Sequence, residues 1–184
     1  MITLDLKRFR LSLTFGFFFV VALTTLRDNT LGTMSLLFCI AHELGHLTVM
    51  RLFGIKLHAL RFYGAGIKIT ADDMSAISRP ARALIYLAGP LTNLLLALLF
   101  RGDPRTLNLA LAVFNLLPIA YFDGGKLLSL IFPNRRIPLN LLSVASCTAI
   151  AILIAAAIYN NPHALNPSAI MTFLFIAISC ILDG

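Results

Sequence analysis

Between residues 137 and 182 the chain carries no aspartate, glutamate, lysine or arginine. Residues 11–26 and 83–100 are uncharged apolar runs as well, and residues 31–50 are apolar around one polar motif. Runs of this length restrict the solvent in which the chain can fold. Of its 184 residues, 59% are hydrophobic and 12% charged, against roughly 25% charged in water-soluble domains. A helix satisfies its own backbone hydrogen bonds in lipid, so the expected fold is an all-α polytopic membrane protein. At about 20 residues per crossing there is room for about six transmembrane helices and none for a sizeable soluble domain. Cys39, Cys147 and Cys180 all lie in apolar segments. They read as small buried hydrophobes, and their spacing fits neither a disulfide framework nor a thiolate zinc site. The net charge of +7 comes from basic residues between the apolar runs. That is a topology signal; without aromatic interleaving it is no nucleic-acid footprint.

Residues 11–26 follow Lys7, Arg8 and Arg10 and end at Arg27. They read as a short first crossing with Arg10 snorkelling; a cleaved signal peptide is the competing reading. Residues 31–50 form the second crossing. Over residues 55–70, Lys56, His58, Arg61 and Lys68 interrupt the apolar residues, and Gly64-Ala65-Gly66 marks a turn. Gly66, Ile67, Lys68, Ile69 and Thr70 alternate as a strand does, so a small membrane-surface β-hairpin is expected. The third crossing, 83–100, contains Pro90, which should kink or break it. The fourth starts near Leu107 and should end irregularly, given Pro118 and Gly124-Gly125. A short apolar helix over 126–132 and crossings at about 139–159 and 169–182 complete the chain. Residues 1–184 thus read as a single membrane-embedded domain. Its core is about 31–132, with accessory helices at 11–26, 139–159 and 169–182.

The polar motif in the second run is His42-Glu43-Leu44-Gly45-His46. Residues four apart share a helix face, so His42 and His46 can direct ring nitrogens at one metal ion. Glu43, rotated by about 100°, falls beside that ion, where it can polarise a water. This H-E-x-x-H pattern is the working part of a zinc metalloprotease. Glu43 is also the only glutamate in the chain, and ionisable groups within a spanning helix mark function by default.

Alternating the loops gathers twelve of the fifteen basic residues on one side, leaving Arg27, Arg101 and Arg105 on the other. The basic side is expected in the cytoplasm, with both termini. His42 and His46 then lie roughly 8–14 Å from the cytoplasmic edge at 1.5 Å per residue. Asp123, near the cytoplasmic end of the fourth crossing, lies at a similar depth. A catalytic zinc site takes three protein ligands and an open position. Candidates for the third are Asp123, His58, His163, Asp72 and Asp73. Of these, Asp123 alone is embedded in an apolar run at the right depth; its competing reading is a helix-end carboxylate near water.

His42-Glu43-Leu44-Gly45-His46, then Ala88-Gly89-Pro90-Leu91-Thr92-Asn93, then Asn-x-x-Pro-x-x-x-x-Asp-Gly from Asn115 to Gly124, together resemble the site-2 protease family of intramembrane metalloproteases. The run NLLPIAYFDGGKLLSLIF is similar to the stage IV sporulation protein FB branch in particular. The likeness covers the chain from the first crossing to about Pro133. It implies a three-helix catalytic core with His42, His46 and Asp123 holding Zn2+ and Glu43 as general base. It implies as substrate a transmembrane or membrane-associated segment of another protein, cut in or near a bacterial cytoplasmic membrane, with membrane regulatory proteins as further partners. The branch often carries a nucleotide-sensing CBS domain; with the sequence stopping at Gly184, none is expected.

Glu43 would take a proton from the attacking water and return it to the leaving amine. The Asn115 amide could donate to the oxyanion or make a structural hydrogen bond, and Asn93 has the same two readings. The edge of the Gly66, Ile67, Lys68, Ile69 and Thr70 strand could receive an unwound substrate as an added strand, or the hairpin could only seal the site. Two other functions compete: a metal-binding transporter, and a catalytically silent protein that binds transmembrane segments. The first wants charged groups on the last two crossings, which have none. The second would be favoured by loss of Glu43 or Asp123, and both are present.

Overall fold

The computed structural model describes residues 1–6, 9–25, 30–63, 66–120 and 122–133, with 141–142, 144–146 and 148–149 beyond them. The crossing expected at 169–182 lies outside the described residues; of that at 139–159, residues 141–142, 144–146 and 148–149 are described and are helical. Two compact units are formed, residues 1–114 and 115–184.

The first unit opens with two strands, β1 (Ile2–Leu6) and β2 (Phe9–Leu13). Both alternate apolar and polar residues, the period of a pleated strand. They pair antiparallel, with Asp5 opposite Arg10 and the two side chains bridged at 2.7 Å. The helix expected over 11–26 therefore begins only at Phe15. As described, α1 (Phe15–Thr25) is about 16 Å long at 1.5 Å per residue, half of a bilayer's ~30 Å core.

Helix α2 (Thr30–Leu52) follows, then β3 (Leu57–Tyr63) and β4 (Gly66–Ala71). β3 and β4 pair antiparallel, as the expected hairpin requires. The hairpin is half of a larger sheet, however, with strand order β1-β2-β3-β4. β2 and β3 run parallel, with Leu11 opposite Leu60. Parallel neighbours need a crossover connection, and α1 with α2 supplies it. The start of α1 and the end of α2 are therefore brought to the same sheet.

Helix α3 (Arg79–Leu99) is unbroken through Pro90. With α2 it is one of two described helices long and apolar enough to cross a membrane. The buried residues of α2 are His42, His46 and Met50, spaced four apart on one stripe, and that stripe faces α3. Gly45 permits the close approach: a Cβ there would collide with the Thr92 hydroxyl and lie 2.8 Å from the Ala88 carbonyl oxygen. Met50, Ile55 and Ile85 form the apolar core, with Leu57 and Ile69 of the sheet packed on it. Helix α4 (Asp103–Asn115) ends the unit, its last residue falling in the next.

In the second unit α5 spans Asp123–Ile131, starting three residues before the expected 126. The segment between α4 and α5 is irregular, as Pro118 and the glycine pair predict. It folds closely over the first turn of α5. A Cβ at Gly124 would strike the Leu116 carbonyl, and one at Gly125 the Ile119 carbonyl.

Candidate metal centre

His42 and His46 share the buried face of α2 because the helix brings every fourth residue to one side. Their Nε2 atoms lie 3.1 Å apart, and their rings meet edge to face. Each ring is held from behind. His46 Nδ1 donates to the Ile85 carbonyl oxygen at 2.7 Å. His42 Nδ1 meets Asn93 Oδ1 at 2.6 Å. A backbone carbonyl only accepts, so His46 carries its proton on Nδ1. The Asn93 amide donates on its other side, from Nδ2 to Asn108 Oδ1 at 2.9 Å, so Asn93 accepts from His42. Both Nε2 atoms then carry lone pairs, 3.1 Å apart. Two such lone pairs repel unless a cation lies between them, and their backing by Nδ1 hydrogen bonds is the usual support of metal-bound histidines.

The spacing suits zinc. Two nitrogens at about 2.0–2.1 Å from a tetrahedral ion stand about 3.3 Å apart, close to the 3.1 Å found. Gly89 on α3 faces the same two atoms. A Cβ added there would collide with the Nε2 atoms of both histidines, so only glycine leaves space for an ion.

Glu43 follows His42 on α2 and is half-buried. Asn93 lies on α3 with its Oδ1 on His42 Nδ1. Asn115 ends α4. Asp123 is the first residue of α5 and buried. It accepts from Lys126 Nζ at 3.0 Å, and the helix N-terminus favours its negative charge. Gly66, Ile67, Lys68, Ile69 and Thr70 form β4, an outer strand of the sheet paired on one side with β3. The other candidate ligands are engaged at the surface. His58 Nε2 bonds Asp72 Oδ1 at 2.7 Å, and Asp73 caps a short turn through the Ser75 backbone N–H. His163 lies outside the described residues.

Sequence reasoning missed Gly89, the Ile85 carbonyl and Asn108. Asn108 left one signal, a lone amide in the otherwise apolar stretch 107–114. A backbone carbonyl leaves none.

The family described as Peptidase family M50 matches residues 32–102 and 105–157. Rip3 of Mycobacterium tuberculosis, a protein named as a zinc metalloprotease, is 33% identical in both the Erdman and H37Rv strains. That alignment covers 52% of this chain and 29% of the relative, so the chain spans less than a third of that relative's length. The site-2 protease from Methanocaldococcus jannaschii superposes with a TM-score of 0.62 over 98% of this chain and 94% of that one. At 20% identity the likeness is one of fold.

Proposed function

Because this chain belongs to peptidase family M50, we propose that it is an intramembrane zinc metalloprotease cutting a peptide bond in or near a transmembrane segment of another protein. The observation that carries this reading is the convergence of the His42 and His46 Nε2 atoms to 3.1 Å, with each ring backed at Nδ1. His42 and His46 supply two ligands. Asp123 is proposed as the third; its burial and its place on a helix N-terminus suit an anionic ligand. Bound zinc would supply Lewis acidity for the scissile carbonyl and bring proton loss from water into the neutral range.

The chain's own residues do the rest. Glu43 accepts the proton of the attacking water and delivers it to the leaving amine. Asn115 is proposed as a donor to the developing oxyanion, a role worth about 10²–10³ in rate where one such donor is removed. β4 offers an outer edge to which an unwound substrate would add as a strand. Residues 1–184 would act as one membrane-embedded protease domain, with residues 11–26, 139–159 and 169–182 as accessory segments. The proposed setting is a bacterial cytoplasmic membrane with both termini in the cytoplasm.

The test is zinc content and cleavage measured on one preparation. The parent, Glu43→Gln, His46→Ala and Asp123→Ala are purified in mild detergent, and each is co-expressed with tagged single-span substrates. Cleavage by the parent alone is expected, with zinc retained in Glu43→Gln and lost in His46→Ala and Asp123→Ala. A parent without zinc, under conditions that do not strip it, would overturn the reading.

A further inference from the structure

We infer that Asn108, on α4, is a positioning residue that fixes the tautomer and aim of His42 through Asn93. The inference rests on the reading of His42 as a metal ligand. The Pro104 carbonyl can only accept. Asn108 must therefore turn its amide nitrogen there, and Nδ2 lies 2.8 Å away. That leaves Asn108 Oδ1 facing Asn93, whose Nδ2 donates to it at 2.9 Å. A second, longer bond runs from the same Nδ2 to the Phe38 carbonyl at 3.4 Å. With Nδ2 committed on that side, Asn93 presents Oδ1 to His42, 2.6 Å from Nδ1. His42 then holds its proton on Nδ1, and Nε2 carries the lone pair.

Each link is directional, and water is kept out. Asn93 and Asn108 are both 0% exposed, where an unpaired amide is costly and a paired one strongly oriented. Without Asn108, only the long 3.4 Å bond to the Phe38 carbonyl holds the Asn93 amide, which can then turn over and present its NH2 to His42. The ring must then accept at Nδ1 and carry its proton on Nε2, where it repels a cation. A residue in contact with neither metal nor substrate thus decides whether His42 can bind. The relay runs through α4, α3 and α2 in turn.

The probe is zinc alone, titrated into the full chain in mild detergent against a chromophoric chelator. The parent is compared with Asn108→Ala, Asn108→Asp, Asn93→Asp and the double variant Asn93→Asp/Asn108→Ala. Asn108→Ala is expected to weaken zinc about 10-fold, the lower end for lost outer partners of a metal ligand. As the neutral acid, Asn108→Asp offers an acceptor to Asn93 and an O–H donor to the Pro104 carbonyl, so it should retain more affinity than Asn108→Ala. Asp at 93 has no donor face to turn, so Asn108→Ala should cost nothing in that background. Helical content by circular dichroism accompanies each titration. Should Asn108→Ala fail to fold, the Asn93→Asp pair still decides.

Equal zinc affinity in the parent and Asn108→Ala would overturn the inference and leave the metal site standing. So would an equal loss from Asn108→Ala in both backgrounds, which would mark Asn108 as packing only. A parent that binds no zinc would overturn the metal-site reading and this inference with it.

Discussion

His46 is held by the backbone of Ile85: its Nδ1 lies 2.7 Å from that residue's carbonyl oxygen. No side-chain change at position 85 can delete this acceptor. The Ile85 side chain has a separate task, since it is 2% exposed and packs with Met50 and Ile55. Ile85→Ala should therefore separate stability from metal binding. A cost of about 2–5 kcal/mol is expected from the lost side chain and the cavity left behind, with zinc per chain unchanged. Thermal unfolding and metal analysis of the same sample check both.

Gly89→Ala should do the reverse. Alanine is the better helix former by about 1 kcal/mol, and α3 is otherwise untouched. The added methyl would press on both Nε2 atoms, in the space an ion needs. Loss of zinc and of cleavage is expected, with parental helical content by circular dichroism.

Gly125→Ala probes the other unit. The methyl would collide with the Ile119 carbonyl and force the turn before α5 to open. Zinc should fall as in Asp123→Ala if Asp123 is a ligand. His42 and His46 would keep their Nδ1 partners, as amide and ring signals in NMR would report.

These substitutions sort what the sequence made legible from what it left hidden. The two histidines on one face followed from the helix period alone. The β3–β4 hairpin followed from alternation. The same alternation stood in Ile2-Thr3-Leu4-Asp5-Leu6 and Phe9-Arg10-Leu11-Ser12-Leu13, yet Arg10 there read as a snorkelling helix start. The two patterns diverge only once a partner strand is known, and for β2 that partner is β3, more than forty residues on. Pro90 was expected to kink or break α3; the helix is not broken there, since a proline removes one N–H of the ladder and leaves the other bonds. Asn93 was open between chemistry and structure because its neighbours in space are His42 and Asn108, neither close in sequence.

Asp72 supplies a pH prediction. Its carboxylate accepts from His58 Nε2 at 2.7 Å and from the Lys56 backbone N–H at 3.1 Å. The His58 hydrogen bond, and then the Lys56 one, hold its pKa below the ordinary carboxylate value. A group depressed in the folded state adds stability above its unfolded pKa of about 3.9, and loses it as pH falls through the lower folded value. Amide exchange in β3 and β4 should thus quicken on acidification below about pH 4, relative to neutral pH, after correction for intrinsic rates. In Asp72→Asn that acid-dependent step should be absent.

The parallel pairing of β2 with β3 also sets an order in time. β1 and β2 can join as soon as both leave the ribosome, because their contacts are local. β2 then waits with one edge open while α1 and α2 are synthesised, and only afterwards does β3 arrive. Pairing across so long a connection is slow. During that interval the open edge of β2 is accordingly exposed to capture by chaperones or by other nascent chains. A tag fused ahead of Met1 would burden that interval first, lowering yield before it touched catalysis.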